Sequence, residues 1–326
     1  MQIALDPWGS DYSSQVATPH DTDSEETTVQ ALEEPIEEGA WKPRHPQPLT
    51  LPQMTAVIDG VMRSDARAMV TQDDVRFLGL FCSHATGAVV VDQRVEIVDM
   101  QVQRLFITGS GQSGPDTVQV PAGTNTPLTY VSHSSPATTP DKLSEALINE
   151  MRQAESKIAE KLSGPDGLIL ADGNLTYVSG SSSVVRVIKS IYRMYLSTKR
   201  TKILERLEPG QRTPLFRIQG GKKRESYDVF SCYLRLTQPR RIEHIFAGLV
   251  RLEVKASLGP DKAVVLLDQA AVKVFELASR APKDPRAPQN LLPVGGLERQ
   301  LRRRLGDPKL VRRGIEKALL HGLNGL

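Results

Sequence analysis

The sequence predicts a protein of the α/β class, and three observations carry that prediction. Apolar runs rich in Val, Ile and Leu recur along the chain at strand length. Two of them, Thr55-Ala56-Val57-Ile58 and Leu168-Ile169-Leu170-Ala171, run into Asp-Gly. A helical stripe lies between these two runs, and more helical pattern closes the chain. Strands alternating with helices pack as a sheet with helices on its faces. Asp59 and Asp172 then stand at the ends of two buried strands, each entering a glycine turn. Carboxylates gathered that way suit a divalent cation, because hard cations take oxygen ligands and offset the repulsion between acids. An Asp-Gly pair also makes ordinary hairpin turns.

The totals set bounds. A chain of 326 residues has room for one large domain or two ordinary ones. No apolar run approaches the length of a membrane span, and the N-terminus lacks the basic start and apolar core of a signal peptide. Cys82 and Cys232 have no metal-ligand spacing, which argues against a thiolate zinc site and fits a reducing, cytoplasmic location. The net charge of +3 conceals an asymmetry: residues 1–40 hold ten of the 38 acidic side chains and none of the 41 basic ones. The remaining body is strongly basic, as a nucleic-acid partner requires.

The elements follow in order. Residues 1–50 read as an acidic, Pro-rich, unstructured leader, and 51–326 as one domain. The first strand, about 54–60, carries Asp59. In the next segment, Arg63 and Arg67 share a face if that turn is helical. Strand-like runs follow at 75–83, 88–91 and 95–107, and residues 108–140 read as a long loop. Thr139 then caps a helix with Pro140 at its first position. Leu143, Leu147, Met151, Ala154, Ile158 and Leu162 form its apolar stripe. Glu150 and Glu155 flank that stripe, and periodicity alone does not choose which of them reaches inward.

Beyond the Asp172 strand, Val184–Ser190 is another apolar run, and Lys189 near its end can meet a phosphate or snorkel at the surface. Residues 199–224 are strongly basic around a Pro/Gly loop. Two strands are expected at 230–236 and 246–254, then a helix over 264–278. The last part is Pro288-Gln289-Asn290-Leu291-Leu292-Pro293-Val294-Gly295-Gly296-Leu297-Glu298. It leads into a helix with Leu297, Leu301 and Leu305 on one face and Arg299, Arg302, Arg303 and Arg304 on the others. Gly306 ends that helix and Asp307-Pro308 start the next, whose apolar side is Leu310, Val311, Ile315 and Leu319. There is no GxxxxGK[ST] loop, which excludes nucleotide hydrolysis by that route, and no GxSxG elbow.

This order of segments resembles the NurA nuclease family. The residues that carry the resemblance are Asp59-Gly60, a Glu-bearing helix, Asp172-Gly173-Asn174-Leu175, Val187-Ile188-Lys189-Ser190, Tyr233-Leu234-Arg235-Leu236, Val250-Arg251-Leu252-Glu253-Val254 and the Pro288–Glu298 segment. The resemblance runs from about residue 51 to about residue 320. It implies a ribonuclease H-like core with a mixed β-sheet flanked by helices and family-specific additions. It also implies a homodimer and a Mn²⁺- or Mg²⁺-dependent deoxyribonuclease. That activity would be 5′-3′ exonucleolytic with single-strand endonuclease activity, working with a HerA-type hexameric translocase in DNA end resection for recombinational repair.

Residue by residue, the family's metal-binding acids fall on Asp59, Glu155 and Asp172, with Arg152 one turn before Glu155. Lys189, and also Arg63, are then candidates to steady the phosphate; Tyr233 and Arg235 fit core positions better. The chain departs from the family where Val61 follows Gly60 and where Asn174 replaces a common Ser. The C-terminal Tyr and His positions fall on Asn290 and Glu298, and Glu298 is a candidate fourth oxygen ligand. A second reading makes the protein a DNA-binding adaptor that docks on the translocase. Leu319, Leu320 and Leu323 are the apolar side chains expected to meet that partner.

Overall fold

The structure of the chain is a computed structural model. It describes all residues except 6–29, 33–35, 122, 124–125, 165–166, 172–177, 179–182, 190, 192–193, 221–227, 281–287 and 321–326. In chain order the strands are β1 (Gln2–Leu5), β2 (Gln30–Leu32), β3 (Met54–Gln72), β4 (Val75–Val91), β5 (Val95–Thr108), β6 (Thr117–Val120) and β7 (Leu128–Ser134). Helix α1 (Pro140–Leu162) follows, then β8 (Gly167–Ala171), β9 (Val184–Ile188), the short α2 (Thr198–Thr201), β10 (Phe216–Gln219), β11 (Asp228–Arg235) and β12 (Leu249–Lys255). Helices α3 (Pro260–Leu277), α4 (Leu292–Leu305) and α5 (Pro308–Leu320) complete the described chain.

One mixed sheet contains these strands, in the order β2-β10-β11-β12-β9-β8-β3-β4-β5-β7-β6, with β1 also on β3. β3, β4 and β5 form an antiparallel meander; β8 lies parallel to β3, and β9 parallel to β8. Because side chains alternate along a strand, the same strands feed two cores. Ala56, Ile58, Ile169 and Ala171 pack under Ile158 and Ala159 of α1. Val57, Leu168 and Leu170 pack on the other face under Leu267, Ala270 and Val274 of α3. Helix α4 covers that second face further along, setting Leu297, Leu301 and Leu305 on Val61, Ala85 and Val89. Burying each leucine contributes about 1.5–3 kcal/mol.

The first strand is longer than the sequence suggests. β3 does not turn at Asp59-Gly60 but runs on to Gln72, so Arg63 and Arg67 lie on a strand and not on a helical turn. The turn comes at Asp73 and Asp74, both at positive φ (50° and 62°), which suits a tight two-residue hairpin. The two runs at 75–83 and 88–91 are one strand, paired with β3 along its length. The far half of this hairpin has its own core, in which Phe81, Phe106 and Tyr130 meet Val311 and Ile315 of α5. Two strands, β6 and β7, occupy the segment expected to be a long loop.

Part of the leader is also ordered. β1 pairs with β3, and β2 pairs with β10. Glu37 is clasped by Arg212, with bonds of 2.9 and 2.7 Å, while Arg212 also holds Asp268 at 2.5 Å. Arg44 and Arg212 exchange backbone hydrogen bonds. The physical reason is edge pairing and buried charge: open strand edges and a buried guanidinium both need partners. Among the described residues, no helix is long and apolar enough to cross a membrane.

Candidate active site

Asp59 is buried, at 9% exposure, on β3. The parallel ladder with β8 ends one residue earlier, at Ile58 opposite Ala171. β1 takes up the same edge of β3 only from Ala68 onward. Between residues 59 and 67, no described strand pairs with β3 on that side, so Asp59 stands at the mouth of a notch in the described pairing. Asp172 is bonded to Ala171 and lies outside the described residues.

Helix α1 reaches this notch from one face. Thr139 caps it, its hydroxyl accepting from the Lys142 amide, and the apolar stripe lays it on the sheet. Glu155, 7% exposed, comes to rest over Gly60. A Cβ at position 60 would lie 2.7 Å from Glu155 Oε1 and 2.9 Å from Met151 Sδ. Any Cβ there would make the Glu155 carboxylate and the Met151 side chain shift. Glu150 turns elsewhere, to His133 at 3.6 Å, which decides between the two helix acids. Arg152, also buried, lies one turn before Glu155, and its carbonyl accepts from Ser156.

The other face of the notch belongs to α4. Gly87 pairs with Asp59 across the hairpin, and a Cβ on Gly87 would meet Leu297 at 3.2 Å and Leu301 at 3.4 Å. Paired residues share a sheet face, so Asp59 leaves β3 on the α4 side and Glu155 arrives on the α1 side. The two acids thus lie on opposite faces of β3, next to the stretch where no described strand pairs with it on the β8 side. Glu298 follows Leu297 and is 3.8 Å from Arg302 Nη2.

The remaining candidates separate. Lys189 directly follows β9, partly exposed, three residues beyond the Arg186 that pairs with Ala171. Arg63 is not available to a phosphate. Its Nε binds Asp65 at 2.6 Å, and its two terminal nitrogens hold the Gly306 and Leu305 carbonyls at 2.7 and 3.0 Å. Arg104 holds the Leu305 carbonyl too, so two cations complement the negative end of α4. Tyr233 stacks on Phe216 in the core, and Arg235 donates to the carbonyls of Leu204, Ile245 and Ala247. Asn290 is 1% exposed. Leu319 packs on the α5 core, Leu320 is exposed, and Leu323 lies outside the described residues.

A buried triad escapes a motif reading. Glu253 accepts from Arg251 at 2.9 Å and faces Arg186 at 3.5 Å, and Arg251 stacks over the Tyr195 ring. Arg186 pairs with Ala171, so this triad flanks the row just before the acids. The sequence signal was an arginine inside the apolar run Val-Val-Arg-Val-Ile.

Buried carboxylates such as Asp59 and Glu155 are the donor chemistry a hard cation takes. Among the described residues, no group of three or more His, Cys, Asp or Glu is placed to hold a metal ion. Asp59 and Glu155 have the donor chemistry for such an ion, and Asp172, the third acid, lies outside the described residues.

A family model, the NurA domain, matches residues 117–294, more than half of the chain. The chain belongs to the NurA family. The matched span contains Glu155, Asp172 and Lys189; Asp59 and Glu298 fall outside it. Among solved structures, the crystal structure of the NurA nuclease from Sulfolobus solfataricus is similar at 10% identity and a TM-score of 0.43, covering 82% of this chain and 86% of that one. No curated protein matches the chain at a significant level.

Proposed function

We propose that this NurA-family chain is a metal-dependent DNA nuclease, with Asp59, Glu155 and Asp172 holding Mn²⁺ or Mg²⁺. The observation that carries the reading is the buried Glu155 seated on Gly60, the residue next to Asp59, where no described strand pairs with β3 on the β8 side. A ribonuclease H-like core is supported by the arrangement around β3, an antiparallel meander on one side and two parallel strands on the other. The bound ion would lower the pKa of an attacking water and neutralise the leaving 3′ oxygen. The chain's own work is to fix the acids: β3 and α1 hold them rigidly, and Gly60 gives Glu155 its room. Lys189 offers a cation to the phosphate. Water adds to phosphorus, the P–O3′ bond breaks, and the 3′ oxygen takes the proton.

The finer properties belong to the same proposal: degradation from 5′ ends with single-strand endonuclease activity, a homodimer, cytoplasmic location, and work beside a HerA-type translocase in end resection. Their support is the family membership and the basic body of the chain. The test is end-labelled DNA, with RNA offered in parallel, incubated with Mn²⁺ and purified wild type, Asp59→Asn, Glu155→Gln and Asp172→Asn. Wild type should cut DNA and the variants should not. Cleavage by Asp59→Asn near the wild-type rate overturns the site.

A second reading, the catalytically weak adaptor, is favoured by the C-terminal segment. Asn290 is enclosed, with its carbonyl accepting from the Ser279 amide, and Glu298 lies near Arg302. Retention of DNA without cleavage, with and without the translocase, would select it.

A further inference from the structure

We infer that the exposed side of α4 is a track for the phosphate backbone of the DNA strand as it enters the notch. The inference rests on the proposal that DNA is the substrate. Helix α4 buries Leu297, Leu301 and Leu305 and exposes Arg299, Arg302, Arg303 and Arg304. Arg299 and Arg303 lie four residues apart, opposite the buried leucines, so they form one outward ridge about 6 Å in step. Two successive backbone phosphates can match that separation. Arginine is the side chain whose planar fork suits phosphate oxygens.

The helix that carries the ridge packs on the strand pair of Asp59, with the ridge on its opposite, outward face. Leu297, against Gly87, is the neighbour of Glu298 and Gly296, and Gly87 is Asp59's cross-strand partner.

A second observation concerns the first turns of the same helix. Gly295 and Gly296 both face open space: a Cβ on either would meet nothing within 4 Å. Glycine weakens a helix, so packing does not explain the pair. A bare helix surface lets another backbone approach closely. Bare backbone leading into an arginine ridge fits a polyanionic strand laid along the helix. The helix itself is held by Arg63 and Arg104 at its far end, so the ridge keeps a fixed direction relative to Asp59.

The test is fluorescence anisotropy of a labelled single-stranded oligonucleotide of mixed sequence, in EDTA, over a salt series. Wild type is compared with Arg299→Gln/Arg303→Gln and with a charge-matched control, Arg76→Gln/Arg94→Gln, whose arginines are exposed elsewhere. Gly295→Ala/Gly296→Ala is a third variant, expected to melt no lower than wild type. The ridge variant should lose about 1.4 from the slope of log affinity against log salt, two single-strand phosphates' worth, with the control unchanged. The alanine pair should bind DNA more weakly despite its firmer helix.

Equal losses in ridge and control variants overturn the track and leave only general electrostatics. An unaltered ridge variant overturns it while leaving the nuclease proposal standing. A ridge variant that keeps DNA and loses polyglutamate binding would make the helix a docking face for an acidic protein, and also overturns it. Wild type that binds no DNA at any salt sinks the DNA reading itself and the track with it.

Discussion

Glu155 rests on Gly60, its Oε1 2.7 Å from the point where any other residue would place a Cβ. The bare surface of the glycine sets where the acid rests. Gly60→Ala should therefore displace Glu155 and Met151 without removing any acid. Overpacking of this kind costs about 1–3 kcal/mol. The expected result is a folded protein, slightly lower in Tm, whose Mn²⁺-dependent cleavage falls at least tenfold. Wild-type turnover from Gly60→Ala would show that Glu155's seat has no bearing on the chemistry.

Metal should stabilise the fold through these acids. A ligand that binds only the native state stabilises by about 2.7 kcal/mol at a hundred times its Kd. Mn²⁺ titration followed by thermal melting should raise Tm for wild type and not for Asp59→Asn. Without metal, Asp59→Asn should melt at or above wild type, since it removes a buried charge.

The clasp on the leader makes a separate claim about stability. Arg212 is buried between Glu37 and Asp268. Arg212→Met would strand two buried carboxylates, and breaking such a group costs about 3–5 kcal/mol. Chemical denaturation should register that loss. Adding Glu37→Gln and Asp268→Asn to the same chain should recover much of it, because the unpaired charges are gone.

Acid should weaken the protein in two stages. Burial holds the His84 imidazole down to about 4, with the Gln103 hydrogen bond opposing it. The unfolded chain takes up that proton near 6.5 and the folded one only near 4, so stability is present above the unfolded value and declines as pH falls between them. At most this is roughly 3 kcal/mol. Burial pushes the Glu37 carboxyl up, but the hydrogen bond and charge of Arg212, the Leu215 amide and Arg44 together outweigh it and leave it low. Its contribution is present above the unfolded value of 4.5 and is lost as pH falls further. His84→Gln should flatten the first stage of an unfolding-versus-pH profile and leave the second.

What the sequence made legible was periodic. The stripe from Leu143 to Ile158 is the buried side of α1, and the leucines of α4 face the sheet as their spacing requires. What it hid was decided by neighbours far away in the chain. Asp-Gly reads locally as a turn, yet at Gly60 the strand continues because β4 pairs with it on both sides of the glycine, and the glycine serves α1 instead. Glu150 and Glu155 are equivalent by periodicity; His133 on β7 and the bare surface of Gly60 separate them. Arg63 looked like a free cation because its partners, the carbonyls at the end of α4, lie some 240 residues away. Pairing along open edges accounts for β1 and β2 inside a segment whose composition suggested no structure.

The length of β3 has a mechanical consequence. At nineteen residues it extends about 60 Å, and its near half is built into the body that carries Asp59 while its far half lines the compartment closed by α5. Neither compartment can melt without pulling apart a strand the other depends on. A single cooperative transition in calorimetry is the corollary, and loosening Phe81 or Ile315 should be felt, through one uninterrupted backbone, at the acid end.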